Sequence, residues 1–189
     1  MKTAIIIHGM PLKDEEHYNP NRNASSNCHW LPWLQRQLIL EDILAQTPEM
    51  PVPYNPEYQL WKEMLVRFPI NENTILVGHS CGAGFIVRFL SEENINVGKV
   101  VLVAPWIDPE KILNTGMFDF KIDQNIVLKT EGITIFESTN DFSEVKESVK
   151  ILKDNIKDIK IITFQNYGHF CFSDIQNEKF PELLDECLK

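Results

Sequence analysis

Along the chain, short runs that are apolar at nearly every position alternate with longer segments in which apolar residues recur every three or four positions. Ala4 to Ile7, Thr74 to Val77, Lys99 to Ala104, Ile133 to Phe136 and Ile159 to Phe164 are these runs, apolar but for Thr74, Lys99, Thr134, Lys160 and Thr163. Such runs, rich in Val and Ile, are the pattern of strands covered on both faces of a parallel sheet. Helical spacing starts near His29, with Trp30, Trp33, Leu34 and Leu38 on one stripe ending at Glu41, and these tryptophans are expected in the core. It returns at Tyr58, Trp61, Leu65 and Phe68 up to Pro69, at Phe85 to about Ser91, at Val145, Val149 and Leu152, and from Phe180 to Leu188. Lys13 to Cys28 is polar and interrupted by Pro20, which reads as a surface excursion, and the four prolines between Thr47 and Pro56 impose an extended segment. Asp108 to Lys129 lacks clean periodicity, with a short helix expected near Pro109 to Leu113. Largely apolar strands alternating with helices predict a doubly wound α/β fold, a mostly parallel sheet with helices on both faces. With no repeat or linker, residues 1–189 are expected to form one domain.

The most informative punctuation follows the second run. Ile75, Leu76 and Val77 lead into Gly78, His79, Ser80, Cys81, Gly82, Ala83 and Gly84, and the helical stripe begins at Phe85. Strand, small-residue turn and helix are the context that GxSxG requires as a nucleophile elbow, where glycines two positions either side of the serine let strand and helix approach. The following helix turns its N–H groups and positive dipole end toward any oxyanion formed there. Ser80 is therefore the candidate nucleophile. A Gly-rich turn with an incidental serine fits this stretch taken alone, and a phosphate loop fits poorly, since no lysine stands at the Walker position.

Composition narrows the partners. The net charge of −9 repels a phosphate backbone, so nucleic acid is not expected. The first apolar run is cut off by His8 and Gly9, too short for a signal sequence or a membrane span. Cys28, Cys81, Cys171 and Cys187 are scattered without a CxxC pair, which suits reduced thiols and a cytoplasmic location.

In parallel sheets of this kind ligands bind beyond the carboxyl ends of the strands. There the sequence offers His8 and Gly9 after the first predicted strand, Ser80 after the second, Asp141 after the fourth and His169 after the fifth. Ser, Asp, His is the chain order of α/β-hydrolases. A serine hydroxyl needs a base that takes its proton and later returns it to the leaving group, a task suited to His169. Asp141 is the carboxylate that orients the imidazole. The N–H groups of Cys81 and of Gly9 or Met10 are the candidate oxyanion donors, and this chemistry requires neither metal nor organic cofactor. Asp108 is the rival acid, although beside Pro109 it also suits a loop cap; Asp119 and Asp123 rank below it. His79 should turn away from Ser80 as a structural residue, and His8 should shape its loop. His17 and His29 have no Cys or His partner at metal spacing and are expected in surface or packing roles.

Taken together, HG after the first strand, His29, Trp30, Leu31, Pro32, Trp33 and Leu34 opening a helix, the Trp61 helix after a Pro-rich segment, GHSCGA at the elbow and Gly168, His169, Phe170 near the end resemble the small serine hydrolases of the YdeN and retinoblastoma-binding-protein family. The resemblance covers nearly the whole chain. It implies a minimal, lidless α/β-hydrolase fold with Ser80, Asp141 and His169 as triad, and a carboxylesterase-like or peptidase-like activity on a small ester, amide or thioester. Two features depart from it: Asn140, Asp141, Phe142 stands where the family commonly has Asp-Asp-Pro, and the insert between Gly9 and His29 is long. Without a cap-sized insertion the pocket is expected to be shallow, to take short acyl groups, and to be lined by Trp106, Phe142 and Phe170. A family named partly for protein binding also admits a partner-binding protein with little chemistry. A thiol enzyme using Cys81 or Cys171 is the third possibility.

Overall fold

The computed structural model describes residues 1–11 and 17–189. The part of the expected Lys13 to Cys28 excursion that precedes His17 therefore lies outside the described residues. Six strands form a sheet: β1 (Thr3–Ile7), β2 (Leu44–Gln46), β3 (Thr74–His79), β4 (Val100–Val103), β5 (Ile133–Ser138) and β6 (Lys160–Phe164). Every neighbouring pair is parallel, and the order is β2-β1-β3-β4-β5-β6. Successive side chains of a strand point to opposite faces, and every residue of β3 and β4 is buried, so both faces of the sheet centre are covered.

The helices are α1 (Leu31–Leu40), α2 (Tyr58–Leu65), α3 (Cys81–Glu92), α4 (Ser143–Asn155), α5 (Phe172–Ile175) and α6 (Pro181–Cys187). Pro32 sits in the first turn of α1, where a missing N–H costs nothing. Its inward residues Leu31, Leu34 and Leu38 are buried, as is Trp30 just before it, whereas Trp33 only packs against the core's edge. α1 and α6 pack together, and α3 lies against β3 and β4.

Several elements differ from the sequence expectation. β2 is an additional strand at the sheet edge; its three residues, Leu44, Ala45 and Gln46, are too few to show a pattern, and only Ala45 is fully buried. Residues 109–113 form a turn rather than a helix, because the Asp108 carboxylate accepts the Ile112 and Leu113 N–H groups at 2.8 and 2.9 Å and closes the loop. Ser25–Asn27 and Ile126–Lys129 are single 3-10 turns within segments read as loop.

Beneath the sheet's amino end lies a buried charge. Glu186 of α6 is fully buried and receives Lys99 at 3.1 Å, Lys160 at 2.8 Å, Lys189 at 2.9 Å and the Thr134 hydroxyl at 2.6 Å. Burial alone would push its carboxyl up. The hydrogen bonds from Lys160, Thr134, Lys189 and Lys99 outweigh that and hold it well below the usual carboxylate range.

Candidate active site

Ser80 sits between β3 and α3 with φ 53° and ψ −121°, a backbone conformation that side chains rarely adopt and that costs about 1–3 kcal/mol. The turn is held on both sides: Ser80 donates its N–H to Val103 O at 2.9 Å, and Ser80 O accepts the N–H groups of Ala83 and Trp106 at 3.0 and 3.2 Å. Glycine is required where the chain folds back on itself. A Cβ at Gly78 would lie 2.5 Å from Ala83 Cα, and one at Gly82 would lie 2.4 Å from His8 O. The second approach brings the end of β1 against the start of α3. Gly9 thereby reaches Ser80, so that a Cβ there would stand 3.0 Å from Ser80 Cβ.

His8 fixes the loop after β1. Met50 N–H donates to His8 Nε2 at 2.8 Å, so the ring carries its proton on Nδ1 and donates it to Gly9 O at 2.7 Å. With the Gly9 carbonyl drawn to that ring, peptide planarity points the Met10 N–H to the opposite side. Burial lowers the His8 pKa and keeps the ring neutral, against the smaller opposing effects of Gly9 O and Glu49. The loop-shaping role expected of His8 matches this geometry.

Asp141 follows β5 and His169 follows β6. The His169 Nδ1–H donates to Asp141 Oδ1 at 2.8 Å, and the Phe142 N–H donates to the same oxygen at 2.7 Å. Asp141 Oδ2 is buried and takes no hydrogen bond among the described residues. The two loops are tied together by Asn140 and Ser138. Asn140 Oδ1 accepts the Ser138 hydroxyl and the Gly168 N–H, both at 2.8 Å, while Ser138 Oγ accepts the Tyr167 N–H at 2.9 Å. Asn140 thus supplies the acceptor that joins the loop of the acid to the loop of the base.

The main chain of His169 is also gripped at both ends. Its N–H donates to Asp174 Oδ2 at 2.9 Å, and its carbonyl accepts His79 Nε2–H at 2.8 Å. Asp174 also accepts the Cys171 N–H at 3.1 Å, the reach-back of a residue in the first turn of α5. His79 is fully enclosed; burial first, then its neighbours His169 and His29, hold its pKa well below the ordinary value. It is a structural residue, as expected, with the base as its partner. His29 accepts the Phe172 N–H on Nδ1 at 3.1 Å and meets the His79 ring at 5.7 Å, a packing role. His17 lies exposed against Tyr18 and Tyr54.

Ser80 and His169 open onto one cavity of about 410 Å³. Gly9, Met10, Trp106 and Phe142 line it. Phe170 does not: its positive φ of 58° turns the ring inward, where it is fully buried and stacks on Phe180 at 5.7 Å. Asp108 reaches the cavity wall, but its carboxylate is occupied by the two loop N–H groups, the capping role. Asp123 accepts the Asn125 N–H and pairs with Lys129. Arg22, Ser25 and Cys28 also line the cavity, so the excursion before α1 forms part of its wall. Glu49 secures that wall by accepting the Ser25 and Ser26 N–H groups at 3.3 and 2.8 Å. All four cysteines are free thiols. Burial pushes the Cys171 thiol up to about 12, helped by Asp174 and Asp141, and pushes Cys81 well up, so both are protonated and weakly nucleophilic at neutral pH.

Residues 5–185 match the model of a family described as serine hydrolase. The chain belongs to that family. Within the serine hydrolases it is YdeN-like: it is 29% identical to the protein YdeN of Bacillus subtilis strain 168 over 192 residues, covering 96% of this chain and 90% of the relative. The crystal structure of the B. subtilis ydeN gene product superposes with a TM-score of 0.76 at 25% identity, covering 98% and 96% of the two chains. A YdeN-like protein of Pectobacterium atrosepticum, at 16% identity, covers 99% and 91% with a TM-score of 0.65. The esterase EaEST of Exiguobacterium antarcticum, at 13% identity, covers 100% and 92% with the same TM-score and shares the fold. The architecture is the minimal α/β-hydrolase fold.

The residues that sequence reasoning missed in this serine hydrolase are Asn140, Ser138 and Asp174, whose side chains hold the site's backbone, and Met50, whose N–H holds the His8 ring. Asp174 alone left a signal, its place three residues after Cys171 at a helix start.

Proposed function

We propose that the protein cleaves small carboxylic esters through an acyl-enzyme on Ser80, with His169 as general base and Asp141 as the orienting acid. The observation that carries this reading is the 2.8 Å hydrogen bond between His169 Nδ1 and Asp141 Oδ1 at the wall of the cavity that Ser80 also lines. With its proton fixed on Nδ1, the ring presents a basic Nε2. In this reading Ser80 Oγ attacks the ester carbonyl as its proton passes to His169. The oxyanion is received by the Cys81 N–H at the start of α3 and by the Met10 N–H beside Gly9. His169 then protonates the departing alcohol, and water repeats the sequence to release the acid. Asp141 bears its charge for the imidazolium that forms. An alcohol leaves the tetrahedral intermediate more readily than an amine and a thiol more readily still, so esters and thioesters are accessible substrates and amides the slower candidates.

The test is hydrolysis of p-nitrophenyl acetate alongside fluorophosphonate labelling. Ser80→Ala is expected to abolish both, a loss of about 10⁴-fold or more in kcat. Asp141→Asn should lower kcat about 10³-fold or more through the wrong imidazole tautomer, whereas Asp108→Asn should stay within about fivefold. A folded wild type that neither turns over nor labels would leave partner binding as the function of this hydrolase fold.

A further inference from the structure

We infer that Phe142 forms the subsite for the leaving alcohol and selects uncharged esters whose alcohol carries an aromatic or bulky apolar group. The inference rests on the acyl-enzyme reading above. In acylation the Ser80 Oγ–C bond forms and the C–O bond to the alcohol breaks, and the serine proton ends on the alcohol oxygen by way of His169. That oxygen must therefore come within hydrogen-bonding reach of His169, and the rest of the alcohol lies against whatever flanks that ring. Phe142 flanks it: the ring centroids are 5.4 Å apart, and Phe142 lines the cavity.

Phe142 is at the same time 49% exposed. Phe170 and Phe180 are spent on the core, and Trp106 is only 6% exposed. Ile112, 61% exposed, adds a second apolar side chain to the lining. Exposed apolar surface beside a reacting group gains only when a ligand covers it. A minimal alcohol such as ethanol leaves that surface wet; a phenyl ring covers it and can meet Phe142 edge to face. Glu110 and Glu144 lie on the same cavity lining, each two residues from Ile112 or Phe142, and together with Asp108 and Asp174 they outweigh Arg22 there and disfavour an anionic alcohol.

The experiment compares kcat/KM for ethyl acetate, 2-phenylethyl acetate and 2-(4-carboxyphenyl)ethyl acetate, which pass through one acetyl-enzyme and release alcohols of similar acidity. Wild type is expected to prefer the phenylethyl over the ethyl ester by about tenfold or more. Phe142→Ala should reduce that ratio about tenfold and Phe142→Leu to an intermediate value; being a ratio, it is readable even if a variant folds incompletely. The carboxylated ester should be cleaved several-fold more slowly than its neutral parent. A ratio unchanged in Phe142→Ala, or no preference in wild type, overturns the subsite, and equal cleavage of the carboxylated ester overturns its preference for neutral alcohols. If wild type cleaves none of the esters and fluorophosphonate leaves Ser80 unlabelled, the hydrolase reading fails first, which is a different result from active enzyme without selectivity.

Discussion

At the scale of single residues, the site is held by side chains that grip backbone rather than substrate. Asn140 is the plainest case, since one carbonyl oxygen accepts from both the Ser138 hydroxyl and the Gly168 N–H and so ties the acid's loop to the base's loop. Asn140→Leu removes that acceptor and leaves the Gly168 N–H without it, a loss of about 1–2 kcal/mol in stability. The His169 ring would lose its alignment with Asp141, and misplacement of this kind is expected to lower kcat about tenfold or more with a smaller change in KM. Thermal melts and steady-state kinetics on the same preparation check both parts; a destabilised variant with normal kcat would refute the positioning role. Ser80, Asp141 and His169 were legible from residue type and order, because α/β chemistry needs them after strand ends. Asn140 and Ser138 were not, because their partners are main-chain groups 28 and 29 residues away and no local pattern records such a pairing.

At the scale of elements, the helices and strands differ in how they are secured. α6 is anchored through Glu186, whose single carboxylate joins the start of β6, the residue before β4, Thr134 of β5 and the chain's last lysine. Its pKa is depressed in the folded state, so its stabilisation is complete above the unfolded carboxylate range near pH 4.3 and is lost as pH falls below it. Glu186→Gln should therefore cost about 2–4 kcal/mol at pH 7 and flatten the acid limb of the stability curve, measured by denaturant unfolding from pH 7 to 3. Lys189→Ala, on a largely exposed side chain, should cost less than about 1 kcal/mol. β1, β3, β4 and β5 were legible as apolar runs, since strands deep in a parallel sheet leave no polar face; β6 was legible from Ile161, Ile162 and Phe164 although it is an edge strand with Lys160 and Thr163 exposed. β2 was not: three residues at an edge carry no periodicity, and only its pairing with β1 makes it a strand.

At the scale of the whole molecule, the parallel sheet places the ends of β1, β3, β4, β5 and β6 along one edge, and the site is assembled from the loops beyond them. Two buried neutral histidines clamp that edge: His8 holds the loop after β1, and His79 holds the loop after β6. Both have folded-state pKa values lowered by burial, so the unfolded chain binds protons that the folded one does not. Their stabilisation is complete above about pH 6.5 and declines as pH falls, by up to about 1.4 kcal/mol per pH unit for each ring. Stability is expected to fall in two stages as pH drops, one that sets in below about pH 6.5 from the histidines and a further one below about pH 4.5 from Glu186. His79→Asn should flatten the upper stage alone, which equilibrium unfolding at pH 8, 6.5 and 5 measures; an unaltered slope would show that His79 is not the titrating group.

What the sequence by itself determined is the alternation of buried strands and helices, the elbow, and the order of the three site residues, because each rests on neighbours within a few positions. Only the tertiary structure decided that the edge strand exists, that Phe170 fills the core while Phe142 faces the cavity, that the excursion before α1 walls the site, and that His79 and Asp174 hold the base. These outcomes depend on which distant backbone groups and surfaces meet once the sheet closes. The direction of one ring, set by the 58° φ of Phe170, removes a residue from the pocket without changing anything that its sequence neighbours could reveal.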